Sequence, residues 1–327
     1  MRYLVVRGFV FLVGALWACT WACTSFAQSD PSRPIRMIVG FPPGGATDIL
    51  ARALAQEARV PLGQEMIIIN RPGANGSIAI GEVIAAKPDG LTLGFAPTSA
   101  FTLAFHFTDI RPDLLDNIDA LVMAGRQRVG MVVKGDSPHR TLKDLIEFAR
   151  SNPGKVPVGV SGVGSSVDVF TRTILQRAQV DGIIVPFKGD ADVTTALLGG
   201  QVTAGSYAAG GFARHVQAGA LRLIASFQDE RLAMAPEVPT LEEMGYGLTG
   251  TNIQFIYGPK GLPAATSRRL TAVLQDAMRT PMYVDIATRN DLYEKNALVG
   301  DALTAFLKKD RVTNSELVEK LGLKKAR

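Results

Sequence analysis

The chain has 327 residues, of which 47% are apolar, and a formal net charge of +5. That apolar fraction excludes an intrinsically disordered body, and the length suggests about two domains. The positive balance is mild and carries no concentrated basic face, so the sequence reads as having no nucleic-acid partner.

The N-terminus reads as a leader. Arg2 and Arg7 precede an uncharged stretch from Gly8 to Ala27, strongly apolar over Phe9 to Leu16. Ser25-Phe26-Ala27 puts small residues at the positions a signal peptidase needs, predicting a signal peptide over 1–27 and a cut before Gln28. Two alternatives are an uncleaved anchor and a lipoprotein with Leu16-Trp17-Ala18-Cys19 as lipobox, which bulky Trp17 fits poorly. Both cysteines (Cys19, Cys23) and both tryptophans (Trp17, Trp21) fall in this segment. The mature chain would therefore lack disulfides, a thiolate nucleophile and Cys-ligated metal. Its net charge would be +3. The expected localisation is periplasmic.

Beyond the leader, short β-rich runs alternate with helical stretches. Strand Ile35–Val39 leads to helix Thr47–Arg59, and strand Met66–Asn70 leads to helix Ser77–Ala86. Strand Leu91–Ala96 follows the turn Pro88-Asp89-Gly90. Phe101 to Asn117 shows no clear pattern. Ile118–Ala124 and Val129–Lys134 are further strands. A second series starts at helix Thr141–Ser151, where Leu142, Leu145, Ile146 and Ala149 share a face, and Asn152-Pro153-Gly154 stops it. Strand Val156–Val160, helix Ser166–Ala178, strand Ile183–Pro186 and helix Ala191–Leu198 follow. Val202–Ser206, Phe212–Ala218 and Leu221–Ser226 repeat the cycle. Pro236 to Gly250 reads as a connector, Ile253–Tyr257 as one more strand. Thr266–Met278 and Asp301–Leu321 are the clearest helices of the C-terminal third. Strands alternating with helices predict βαβ units and parallel sheets, here in two α/β lobes.

Two loops stand out. Gly40-Phe41-Pro42-Pro43-Gly44-Gly45-Ala46-Thr47-Asp48 directly follows the first strand. Loops at the carboxyl ends of parallel strands face ligands. Gly44 and Gly45 allow close main-chain approach, Thr47 or Asp48 can cap the next helix, and that helix end favours an anion. Pro42 and Pro43 lower the ordering cost. In the second series, Ser161-Gly162-Val163-Gly164-Ser165-Ser166-Val167-Asp168 repeats the device. Facing each other, the two loops would grip a small anion from both sides.

Other chemistry is not supported. Val167 stands where a dinucleotide fingerprint needs its third glycine, and neither loop ends in the Gly-Lys-Ser/Thr of a P-loop. Val163 breaks a Gly-x-Ser-x-Gly elbow at Ser161. His106, His139 and His215 are isolated. Asp109, Asp113, Asp116 and Asp119 lack calcium-loop spacing. No cofactor or metal is expected.

These residues resemble the Bug family, the exported solute-binding receptors of tripartite tricarboxylate transporters. The resemblance covers nearly the whole mature chain. It rests on PSRPIRMIVGFPPGGATDILARALA (31–55) and NRPGANGSIAIGEVIAAKPDGLTL (70–93), with further matches at 151–166, 185–202, 217–225 and 235–246. It implies a two-lobe Venus-flytrap fold, type II-like, with the ligand cleft between the lobes. Lobe 1 would be 28–130 with 251–327, and lobe 2 would be 131–250. The implied ligand-binding residues are Phe41, Gly44, Gly45, Ala46, Thr47 and Asp48 in the first loop, and Gly164, Ser165 and Ser166 in the second. Thr98 and Ser99 would offer hydroxyls. Phe187 matches the usual Tyr of its stretch and either lines the cleft or fills a core. Tyr207 stands where many members carry an acidic residue, so the half that reads the ligand's other end has changed.

The leading expectation is a non-catalytic receptor that passes a small organic acid, a mono- or dicarboxylate, to membrane permease subunits. An aromatic or amide ligand stays open. Hinges are expected at Val129–Lys134 and near Gly250. The alternatives are a secreted α/β hydrolase-like enzyme, for which no nucleophile and base set is evident, and a ligand sensor for a signalling partner.

Overall fold

The computed structural model of the chain describes residues 33–107, 114–248, 250, 252–320 and 322–323. The leader, Asp109, Asp113 and Lys324–Lys325 lie outside these. No helix among the described residues is long and apolar enough to cross a membrane.

Ten strands form two five-stranded sheets. The first contains β1 (Ile35–Val39), β2 (Met66–Asn70), β3 (Thr92–Pro97), β4 (Ile118–Gln127) and β10 (Asn252–Pro259), in the order β2-β1-β3-β10-β4. The second contains β5 (Val129–Lys134), β6 (Pro157–Ser161), β7 (Ile183–Phe187), β8 (Ala204–Ala208) and β9 (Leu221–Ser226), in the order β7-β6-β8-β5-β9. β1, β2 and β3 pair in parallel, as do β6, β7 and β8. The sheets are nevertheless mixed. β10 runs antiparallel between β3 and β4, and β5 antiparallel between β8 and β9. Both strands reach their sheet by crossing from the other one, so no right-handed helical crossover sets their direction. Local alternation predicts only the parallel part.

Helices follow the strands as the alternation implies. α1 (Ala46–Leu62), α2 (Ser77–Ile84) and the short α3 (Ser99–Thr102) belong to the first series. α4 (Leu142–Ser151), α5 (Ser166–Ala178), α6 (Asp190–Leu198) and α7 (Ala209–Gln217) belong to the second. α8 (Ala264–Met278), α9 (Pro281–Arg289) and α10 (Gly300–Lys320) close the chain. α4 starts on a capping box in which Thr141 and Asp144 exchange side-chain and main-chain hydrogen bonds, a local stop that fixes where the helix begins. α9 starts with Thr280 as cap and Pro281 in its first turn.

The first sheet is covered on both faces. Met37, Val39 and Phe95 pack with Leu50 and Leu54 of α1 and Leu274 of α8. Ile38, between Met37 and Val39, points the other way, into a core with Ile80, Phe101, Tyr257, Leu303 and Leu307. This is the period-2 alternation of a strand buried on both sides. Only Arg128 separates β4 of the first sheet from β5 of the second, so one near-continuous segment passes between them. Arg128 donates to the carbonyls of Asp291 and Tyr293 and pairs with Glu230 at 3.4 Å.

On β3, Gly94 faces the buried ring of Tyr257, and any Cβ there would overlap that ring. Gly94→Ala is expected to cost about 1–3 kcal/mol through overpacking. The check is urea unfolding followed by far-UV circular dichroism, and an unchanged midpoint would show that this contact relaxes freely.

Candidate functional site

The carboxyl ends of β1 and β6 bring the two glycine loops together. In the first, the Asp48 carboxylate accepts from Gly44 N–H at 2.9 Å, from Arg52 Nε at 2.9 Å and from Asn70 Nδ2 at 2.9 Å. Asn70 Nδ2 also donates to the Phe41 carbonyl. Gly44 has a φ of +84°, the left-handed conformation that glycine adopts without penalty. Asp48 is 2% exposed. Burial alone pushes its carboxyl up, but Arg52, Gly44 N–H and Asn70 outweigh that and leave it below the ordinary carboxylate range.

The second loop repeats this geometry. Asp168 accepts from Gly164 N–H at 2.8 Å and from Arg172 Nε at 2.8 Å. Ser165 caps α5 by accepting from Asp168 N–H, and its hydroxyl donates to the Gly162 carbonyl. Here burial dominates and raises the Asp168 carboxyl despite those partners. The spacing Gly, Asp four later, Arg eight later is present in both loops of the sequence and identifies the clamp. The two arginines are the part that the glycine pattern overlooks.

Between the loops lies a cavity of about 20 Å³, room for little more than a water. Of the residues anticipated from sequence, Phe41, Gly45, Ala46, Thr47, Ser99, Ser165 and Ser166 line it. Gly44, Asp48 and Gly164 are not among its lining residues: Gly44 N–H is spent on Asp48, and Gly164 N–H on Asp168. Thr98 donates to Asn252 Oδ1 at 2.7 Å and borders an adjoining cavity of about 300 Å³, which shares Ser99, Ser166 and Asn252 with the first.

Two anticipated residues turn elsewhere. Tyr207 is fully buried, its ring against Phe212 in the core under β8. Side chains alternate along β8, so Ala208 reaches the cavity and Tyr207 the opposite face. Burial raises its hydroxyl. Phe187 packs against that same core and over Gly159, away from the cavity.

The cavity also contains residues not anticipated from sequence. Asn75 is 7% exposed with a φ of +50°, and neither end of its amide has a hydrogen-bond partner. Asn252 bridges the two sheets' loops: its Nδ2 donates to Ser99 and Ser166 hydroxyls, each at 3.4 Å, and to Gln127. Gln254 does not line the cavity but donates to the hydroxyl of Thr47, which does. Asp190, the first residue of α6, accepts from Ala46 N–H at 3.3 Å across the cavity. The Asn75–Gly76 step within a glycine-rich turn is the sequence signal for the positive φ of Asn75.

No group of three or more His, Cys, Asp or Glu among the described residues is arranged to hold a metal. His106 faces Ser315 at 3.0 Å, His139 lies against Phe148, and His215 sits beside Arg214. None of them lines the cavity.

Two mixed sheets, flanked by helices and meeting at strand-end loops that enclose a small polar cavity, define a periplasmic-binding-protein architecture. The family model of the tripartite tricarboxylate transporter family receptor matches residues 50–323, and the chain belongs to this family. It is 30% identical over 329 residues to the "UPF0065 protein in gbd 5'region" of Cupriavidus necator, with 99% of each chain covered. The periplasmic binding protein BugD shares the fold with a TM-score of 0.83 at 25% identity, over 90% of this chain and 99% of its own. MatC of Rhodopseudomonas palustris, solved with bound malate, has a TM-score of 0.79 at 24% identity, over 88% and 99%.

The Asp48 clamp has a pH signature. A carboxyl held below its unfolded value adds stability above about pH 4 and loses it as pH falls through the depressed folded value. Asp48→Asn should therefore lower unfolding free energy by about 1–3 kcal/mol at neutral pH, and the gap from wild type should narrow below pH 4. Urea midpoints at pH 7 and pH 3 measure both quantities; a gap that widens in acid would contradict the assigned clamp.

Proposed function

We propose that this chain is exported by a cleavable leader to the periplasm and captures a small carboxylate-bearing metabolite there. It holds the ligand chemically unchanged and presents it to the permease subunits of a tripartite tricarboxylate-type transporter. The reading is supported by the family, and most directly by one observation: loops of both sheets enclose a cavity into which the buried Asn75 amide points without a protein partner.

In this reading a ligand carboxylate accepts from Asn75, from the Ser166 hydroxyl, and from the first N–H groups of α5. Helix N-termini leave such N–H groups without intrahelical acceptors, and their dipole favours an anion. Phe41 and the hydroxyls of Thr47 and Ser99 bound the remaining space. Lobe 1 (28–130 and 251–327) and lobe 2 (131–250) rotate about the Arg128 crossing and the connector near Gly250 to admit the ligand. Closure then orders groups of both lobes around it, which gives a membrane partner a loaded form to recognise.

Ligand binding to the folded state raises the melting temperature by mass action. A melting-shift screen of mono-, di- and tricarboxylates, with malate among them and aromatic acids and amino acids alongside, is expected to yield saturable stabilisation without turnover. No shift from any of them would refute the receptor reading, and product formation would favour an enzyme. Gly45 faces Asp190 with space for a methyl group, its Cβ position standing 3.6 Å from the carboxylate. Gly45→Val is expected to weaken the best ligand at least a hundredfold, because its extra branches keep the loops apart, while unfolding stays within a few degrees of wild type. Gly45→Ala is expected to bind nearly normally.

A further inference from the structure

Asp190 is not needed by a plain carboxylate receptor. It is 7% exposed and lines the cavity. Its Oδ2 accepts from Ala46 N–H at 3.3 Å and its Oδ1 from Ala208 N–H at 3.4 Å. The Ser161 hydroxyl also favours its charged form. Ala46 is the first residue of α1, and Ala208 immediately precedes α7. The protein's own carboxylate thus occupies the positive ends of two helices, where a ligand anion would otherwise be welcome.

Nothing cationic balances it. Among the described residues no Lys, Arg or His lines the cavity, and burial raises the Asp190 carboxyl above its ordinary range. A second carboxylate placed beside it would put two like charges a few ångströms apart in a poorly solvated space, an arrangement that opposes ionisation of both. A carboxylate offers about four acceptor positions. The three groups named above leave about one for the cavity. An N–H group on the ligand fits that position, and it supplies the partner that a buried charge requires.

Asn75, Ser166 and the start of α5 bring hydrogen-bond donors to the same cavity and carry no acid into it. The site therefore combines donors from these groups with one acidic acceptor, Asp190.

Resting on the receptor reading above, we infer that Asp190 reads the ligand's second end. The preferred ligand is a small monocarboxylate that also carries an ammonium or amide N–H group. An unsubstituted dicarboxylate of the same length is disfavoured.

The test is isothermal titration of the purified chain with three matched series. Succinate, its monoamide succinamate and γ-aminobutyrate keep one carboxylate and change only the other end. The corresponding sets built on malonate and glutarate cover shorter and longer spacing. In at least one set the N–H-bearing compound is expected to bind wild type at least tenfold tighter than the dicarboxylate. Asp190→Ala frees the Ala46 and Ala208 N–H groups for a second carboxylate and should reverse that order. Asp190→Asn, which keeps the shape, should abolish the preference and guards against misfolding of the first variant; melting curves of both verify the fold. Tighter dicarboxylate binding by wild type in every set overturns the inference alone. So does a preference unchanged in both variants, or an equal gain for all ligands in Asp190→Ala, which would mark Asp190 as a latch between the loops. Failure of all nine compounds to bind wild type overturns this inference, while the receptor reading stands or falls on the wider melting-shift screen.

Discussion

Main-chain N–H groups at the start of a helix have no acceptor within the helix, and the whole site is a response to that constraint. α1 and α5 each begin directly after a buried strand, where water cannot reach every orphan donor. In both loops a buried aspartate accepts the N–H of a glycine four residues earlier, and an arginine four residues later compensates the aspartate from the half-exposed side. That leaves the next N–H groups directed at the space between the sheets. Without the aspartates the loops have no internal acceptor to fold around, and the groups behind them lose their placement too.

The two clamps share geometry but differ electrostatically. Asn70 gives Asp48 one more donor than Asp168 has, and the two carboxyls shift in opposite directions. The first loop is thus held by a firmly ionised anchor, the second by one nearer its neutral form. Asn252 ties the halves together through hydroxyls from each side. Its bonds at 3.4 Å are long, which suits the opening motion proposed above.

Much of the scaffold was legible in the sequence because its signals are local. β1, β2, β5, β9 and α5 coincide with the apolar runs, and capping by Thr141 is a four-residue pattern. The antiparallel partners β5 and β10 were legible as strands but not as antiparallel, since pairing direction depends on where the chain crosses between sheets. α9 carries its own start signal, Thr280 followed by Pro281, and was passed over for its short run. At the site, the glycine loops announced themselves. Tyr207 lies just past the strand expected over Val202–Ser206, but β8 runs on to Ala208, and the alternation of side chains turns Tyr207 into the core. Asp190 looks in sequence like any acid opening a helix; only the folding of the chain lays it across the cleft onto Ala46.

The position of β10 has a kinetic consequence. The second sheet draws all its strands from one uninterrupted stretch, so it can assemble as soon as that stretch is available. The first sheet cannot: its last strand, β10, follows β4 by more than a hundred residues. Until then β3 and β4 present bare, apolar edges. Closing such a distant pairing is slow, and exposed edges invite association with other chains in the interval. The late insertion of a single strand thus makes completion of the first sheet the slow step of folding.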